Sequence, residues 1–260
     1  MNNALIGFSG FVGSTLLKQS TFTDLYRSTN ISAVEGKFFD TLVCAGAPAQ
    51  KWLANKDPRG DRQKIAGLIS HLDKVTCNTF ILISTVDVFG SPIGVDEKTD
   101  VHEEGLHAYG LHRRLLEKFV QEKFAKHLIV RLPGLVGPGL RKNAIFDLLN
   151  DNNVGCIDSR AKFQFYPMVN LWFDIQTALQ ANLQLVHLTA EPISMGDIAR
   201  QGFAKDFDNP VSDKPALYDM RSVYSGTFGG NGHYQYSTRD QIHAVRSYAQ
   251  SEPVTLKATP

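Results

Sequence analysis

Ala4-Leu5-Ile6-Gly7-Phe8-Ser9-Gly10-Phe11-Val12-Gly13 begins as a short apolar strand, breaks into glycines and runs on into a helix, Val12 to Gln19. A turn this tight between strand and helix needs residues without a Cβ, so that backbone can approach closely. The helix N-terminus then offers free N–H groups and a partial positive charge, which together suit a phosphate. The spacing is GxxGxxG rather than GxGxxG, with the strand and helix flanks that a dinucleotide-binding turn requires. Gly7, Ser9, Gly10, Phe11, Val12 and Gly13 are therefore candidates for holding a pyrophosphate. The alternative is a glycine turn that serves packing alone.

Outward from that turn, strand and helix patterns alternate. Asp24–Arg27 reads as a brief strand and Asp40–Ala45 as a buried one. A helix from about Asp61 to Lys74 carries Ile65, Leu68, Ile69 and Leu72 on one face. Thr79–Val86 is a continuous apolar run, as a parallel strand buried on both faces requires. Tyr109–Phe124 is helical and His127–Leu132 is the next strand. The alternation predicts an α/β fold with a doubly wound parallel sheet of the Rossmann type. Later come a short helix at Phe146–Asn150, a longer one at Leu171–Ala181, a strand at Leu185–Leu188 and a helix at Ser194–Phe203 with Ser194 as N-cap. Residues 206–236 read as loop. The expected division is a dinucleotide-binding core over residues 1–135, then a small C-terminal substrate-side region over 136–260 that completes the sheet within one continuous domain.

The chain has 260 residues, 27 basic and 26 acidic side chains, and a net charge of +1, so no overall field invites nucleic acid or an anionic membrane. Cys44, Cys77 and Cys156 form no CxxC pair, which speaks against a zinc or redox dithiol site and for reduced, mostly buried thiols. His102, His107 and His112 lack a carboxylate in metal-site spacing, and no metal is expected. No apolar run approaches the roughly 20 residues of a membrane span. Met1 leads directly into the first strand, from which a cytoplasmic location is expected.

About 20 residues past a dinucleotide turn, an Asp or Glu would accept from the adenosine 2′-hydroxyl. Arg27, Ser28 and Thr29 stand there instead. A guanidinium and hydroxyls suit a 2′-phosphate, which favours NADP over NAD; the plainer reading of Arg27 is a solvated charge.

Three more stretches carry a resemblance. Ser84-Thr85-Val86-Asp87-Val88-Phe89-Gly90 is similar to the STDEVYG segment of sugar-nucleotide dehydratases, Ala108-Tyr109-Gly110-Leu111-His112-Arg113 to a YGxxK helix, and Arg131-Leu132-Pro133-Gly134-Leu135-Val136-Gly137-Pro138-Gly139 to an RLxxxYGPG segment. With the glycine turn, residues 4–200 resemble the extended short-chain dehydrogenase/reductase superfamily, the NAD-dependent epimerase/dehydratase group. The resemblance implies an NAD(P)-dependent oxidoreductase acting on a carbonyl or hydroxyl carbon, with a nucleotide-linked sugar as the substrate class. Thr85 would orient the substrate oxygen and Tyr109 would move its proton. Arg113 would hold ribose and bias Tyr109 toward phenolate. Ala45, Gly46, Ala47 and Pro133 would lie along the cofactor, while Asp87, Arg141 and Tyr166 would face substrate. The tyrosine helix would also serve a homodimer, although burial within one chain explains Leu115, Leu116 and Phe119 equally well.

Two positions depart from the family pattern. Arg113 stands where lysine is expected, and Lys64 where an asparagine is expected. A free tyrosine titrates near pH 10, so work as a base at neutrality needs its phenolate favoured by roughly 4 kcal/mol. Arg113 supplies charge from one helical turn away, but its planar fork cannot join a proton relay. It is consistent with a weaker reaction, with cofactor binding without catalysis, or with a retired site, and Lys64 is a candidate to replace part of the missing function. The rival to an enzyme is a non-catalytic NADP(H)-binding sensor or scaffold. A sugar-nucleotide-binding subunit without its own cofactor is a third reading.

Overall fold

A computed structural model describes residues 2–253 as two compact units. Unit 1 comprises the residues up to Ser91, Glu97–Leu132 and Leu171–His187. Its elements are β1 (Asn3–Ile6), α1 (Phe11–Gln19), β2 (Asp24–Tyr26), β3 (Phe38–Cys44), α2 (Lys51–Lys56), α3 (Pro58–Leu72), β4 (Thr76–Thr85), α4 (Ala108–Lys123), β6 (His127–Leu132), α6 (Leu171–Gln180) and β10 (Leu185–His187). The six strands form one parallel sheet in the order β10-β6-β4-β3-β1-β2. Strand order reverses between β1 and β3, so the glycine turn after β1 opens at the switch point where open α/β sheets bind ligands. Between β2 and β3 the chain has room only for a 3-10 turn, Ile31–Val34.

The sheet is apolar on both faces. Leu42, Val43, Phe80, Ile81, Leu128 and Ile129 are fully buried. On one face Phe80 stacks on Phe124 at 4.2 Å, and Phe119 meets Phe124 edge-on. Leu116 is buried in the same cluster, with Phe119 packed partly against it, so a single chain accounts for both.

Unit 2 comprises Pro92–Asp96, Pro133–Asn170 and, of the described residues, 188–253. It holds β5 (Ile93–Val95), β7 (Gly134–Val136), α5 (Ala144–Asn150), β8 (Lys162–Phe163), β9 (Phe165–Pro167), β11 (Ile193–Ser194), α7 (Met195–Phe203), β12 (Asp219–Met220) and α8 (Thr238–Ser251). The strands pair only two by two: β7 with β9, β8 with β11, β5 with β12. Gln164 ties the unit together, donating to the Thr189 hydroxyl and accepting from the Met220 amide at 2.7 Å.

Several outcomes differ from the sequence expectation. Both α6 and β10 lie beyond residue 135 yet group with unit 1, where β10 pairs with β6 and completes the sheet. Helix α3 starts at Pro58 rather than Asp61, since Asp57 accepts from the Gly60 amide as its N-cap. Ser194 does cap α7, accepting from Asp197 at 3.0 Å. Helices α2 and α8 were not anticipated, although Ser237 and Asp240 form a reciprocal capping box before α8. Of the thiols, Cys44 is buried but Cys156 is exposed, against the expectation of mostly buried cysteines. No helix among the described residues is long and apolar enough to cross a membrane.

Candidate active site

The glycine turn is closed by backbone contacts that admit no side chain. A Cβ on Gly7, whose φ is +88°, would stand 2.4 Å from the Ala45 carbonyl oxygen, and one on Gly13 would stand 2.1 Å from that of Gly7. A Cβ on Gly10 would meet nothing closer than 3.5 Å. Gly10 also heads α1, with no side chain capping the helix and no acidic residue in its first turn. A pyrophosphate therefore fits here: the turn is close-packed behind, open at Gly10, and has its helix end available. Gly46 is equally confined, since a Cβ there would lie 2.8 Å from the Ile6 side chain. Its neighbours Ala45 and Ala47 are small and half-buried at the end of β3.

At the end of β2, Asn30 accepts from the Arg27 amide at 2.7 Å and donates to the Leu25 carbonyl, which fixes the turn. The Arg27 side chain is exposed, with Nε donating to Thr29 and the guanidinium 5.9 Å from the Phe8 ring. Ser28 is exposed beside it, and no carboxylate follows β2 where a 2′-hydroxyl would need one.

Thr85, Asp87, Tyr109 and Arg113 come together in unit 1. Thr85 ends β4 and accepts from the Asp87 amide at 3.2 Å, and its hydroxyl slightly favours the ionised form of the Tyr109 phenol. Tyr109 lies in the first turn of α4, where its amide donates to Asn55 at 3.0 Å. Burial raises the Tyr109 phenol above its ordinary value, and the Arg113 charge only partly opposes this. At neutral pH the group is a phenol, ready to give a proton.

Arg113 is 3% exposed and locked in place. Its guanidinium donates to Asp61 Oδ2 at 2.5 Å and Oδ1 at 3.0 Å, to the Tyr109 carbonyl and to the Pro48 carbonyl, and lies 4.0 Å from the centre of the Tyr109 ring. Of five N–H donors, only Nε–H lacks a partner, and it too is buried. None is presented to a ribose, as the family pattern would have it; the charge beneath the ring remains. Asp61, 5% exposed, also meets His112 Nδ1 at 2.7 Å. Burial raises its carboxyl, but hydrogen bonds from Arg113 and His112 outweigh this and hold it below its ordinary value. Lys64 is exposed at the rim of a cavity of about 110 Å³ that Asp61 and Pro48 also line.

Sequence reading missed Asp61 and Lys51. Lys51 Nζ lies 2.7 Å from Asp87 Oδ1, and its charge is felt at both Tyr109 and His107. His107 caps α4, its Nδ1 accepting from the Gly110 amide at 3.0 Å. Asp57-Pro58 was a legible helix start, yet nothing in the spacing pairs residue 61 with 113 or 51 with 87. One turn further along α4, Glu117 is fully buried and accepts from Ser84, from two nitrogens of Arg131 and from Arg114. This network fastens the helix to β4 and β6.

The remaining expected site residues belong to unit 2. Pro133 is buried directly after β6, and Arg141 is exposed. Tyr166 has no exposed surface and packs edge-on against Tyr236 at 5.5 Å, which makes it a core ring rather than an open substrate contact. Among the described residues no group of three or more His, Cys, Asp or Glu side chains could hold a metal ion.

No family model matches the sequence, and no curated protein matches it. Solved structures do match in fold. A dTDP-4-dehydrorhamnose reductase from Clostridium acetobutylicum superposes with a TM-score of 0.73 at 17% identity, over 96% of this chain and 99% of its own. The Bordetella bronchiseptica enzyme WbmG, in complex with NAD, gives 0.75 at 15% identity over 96% and 94%. A dTDP-4-dehydrorhamnose reductase from Bacillus anthracis, in complex with NADP, gives 0.74 at 15% over 97% and 99%. At these identities the likeness is one of fold: the Rossmann-type architecture expected from the sequence is the architecture these proteins have.

Proposed function

We propose that the chain is an NAD(P)H-dependent oxidoreductase of the epimerase/dehydratase kind, working as a reductase on a carbonyl carbon of a nucleotide-linked sugar. The observation that carries this reading is the Tyr109 phenol, buried beside Thr85 at the end of β4 and kept protonated chiefly by that burial. A protonated acid beside a hydroxyl suits delivery of a proton to an oxygen that is gaining charge. A bound nicotinamide would supply the hydride. Gly7, Gly10 and Gly13 would hold its pyrophosphate, and Ala45, Gly46 and Ala47 would leave room at the end of β3. Arg27, with Ser28 beside it, would meet a 2′-phosphate, so NADP is favoured. Thr85 would orient the carbonyl, Tyr109 would protonate it, and the Arg113 charge would limit the cost of the resulting phenolate. Arg141 is an exposed cation suited to a diphosphate. A cytoplasmic homodimer, with the half-buried Leu115 at its interface, belongs to the same proposal.

The reading is tested by NADPH oxidation at 340 nm across keto-sugar nucleotides and small carbonyls. Turnover that falls about 10²-fold or more in Tyr109→Phe is expected. Tight NADPH binding, lost in Gly10→Ala, with no turnover on any carbonyl would overturn the enzymatic reading. That result is what a non-catalytic NADP(H) sensor predicts, and one observation favours the sensor: Asp61, Pro48 and Tyr109 hold Arg113 where the resemblance would have a ribose-holding group.

A further inference from the structure

Lys51 and Asn55 stand four residues apart in α2 and so share one face of that short helix. Asn55 uses the face to accept the Tyr109 amide at 3.0 Å, which fixes α2 against the first turn of α4. Lys51, one turn earlier, is thereby directed to the same place, where its ammonium meets Asp87 at 2.7 Å. Asp87 is in turn anchored to Thr85 through its amide, and Thr85 acts weakly on the Tyr109 phenol. These contacts gather Lys51, Asp87, Thr85 and Asn55 at the first turn of α4, beside Tyr109. The Lys51 side chain is 39% exposed, against 3% for Arg113. Of the two cations that act on the phenol, the Lys51 ammonium is thus the one open to solvent, while the guanidinium is buried against the ring.

We propose that Lys51 is a positioning residue of the Tyr109 site, supplying from α2 the solvent-facing cation that position 113 of α4 does not, with Asp87 as the carboxylate that holds it there. The inference rests on the reading of Tyr109 as proton donor. Once the phenol has given its proton, a nearby ammonium stabilises the phenolate. Arg113 contributes fixed charge, and Lys51 contributes charge that can turn toward a ligand. The charged and titratable groups around the phenol are Lys51 from α2, Asp87 after β4, and His107 and Arg113 from α4, with Asp61 of α3 behind Arg113. Burial opposes the phenolate most, Arg113 and Lys51 favour it, and Asp87 opposes it. Burial and the Lys51 charge push His107 below its ordinary value, so it faces the phenol uncharged at neutral pH.

The test is the titration of 3,5-difluorotyrosine placed at position 109, followed by fluorine NMR in cofactor-free full-length protein. The fluorinated phenol is more acidic and titrates where the fold holds. Lys51→Met is expected to raise its midpoint by about one pH unit, and Asp87→Asn to lower it by a comparable amount. The double variant is expected to fall between the two. Unchanged midpoints in both single variants, or shifts of the same sign, would overturn the proposal, because a repacked α2 would move both in one direction. Turnover is not needed for this readout. Opposed shifts in a protein that reduces no carbonyl would keep Lys51 in its role and remove the reductase reading; active protein with unmoved midpoints would do the reverse.

Discussion

Asp61–Arg113 and Asp87–Lys51 are both carboxylate–cation pairs beside the first turn of α4, closed at 2.5 Å and 2.7 Å. Their surroundings are opposite. The first pair is 5% and 3% exposed, carries a second hydrogen bond between the same two groups, and is joined by His112. The second is 16% and 39% exposed. Equal charges at nearly equal distance thus divide into a fastening and a working contact, and burial makes the division. A buried pair cannot lose one member without stranding the other, whereas an exposed member is taken up by water.

The largest expected effect follows from stranding Arg113. Asp61→Asn should destabilise the fold by about 3–5 kcal/mol, read by urea unfolding, since a guanidinium would remain buried without its counter-charge. Asp61→Asn combined with Arg113→Met should recover much of that loss, because neither charge then remains. A cost below about 1 kcal/mol for Asp61→Asn would break the comparison, placing both pairs in the exposed class.

That contrast also marks what could be read in the sequence. The sheet was legible because Phe80 to Ile83 and Leu128 to Val130 are apolar runs, and such runs have few other uses. The glycine turn was legible because three glycines at fixed spacing stand between a short apolar strand and a helix, and Gly13 packs on the Gly7 backbone only six residues away. Tyr109 and Thr85 were legible through family resemblance. Asp61 was not: in the first turn of a helix an acid is ordinarily a favourable dipole partner, and its tie to Arg113 spans 52 residues. Lys51 was not either, because α2 is six residues long and too short to show a period. The fold was thus carried by local pattern, while the charges of the site are set by tertiary contact.

A smaller effect is expected from Arg113→Lys, the change that would restore the family pattern. A single ammonium cannot reproduce four bonds to Asp61, Pro48 and Tyr109. Stability should fall by about 2 kcal/mol, with at least one buried acceptor left unpaired. Improved stability in this variant would mean that the locked guanidinium is strain rather than fastening.

Acid should reduce the buried pair's advantage in a defined direction. Asp61 titrates below the ordinary 3.8 in the folded chain, so its contribution is full above that value and fades as pH falls through the depressed folded value. The difference in Tm between native protein and Asp61→Asn should therefore be constant from about pH 7 to pH 5 and narrow below about pH 4. A gap that stays constant down to pH 2.5 would show that the Asp61 carboxylate charge contributes nothing to the native fold.

The smallest effect belongs to the exposed pair. Lys51→Met should change unfolding free energy by less than about 1 kcal/mol, because a half-exposed ammonium gains little from its partner that water does not also offer. The methionine keeps the apolar stem on α2, so Ala54 and Asn55 retain their places. Asp87, 16% exposed, can then be rehydrated on the side the ammonium covered. If stability stays and the Tyr109 titration moves, Lys51 acts on the phenol by charge and not by holding α2 in place. If stability falls as far as in Asp61→Asn, Lys51 is a second fastening, and the two pairs differ in exposure but not in use.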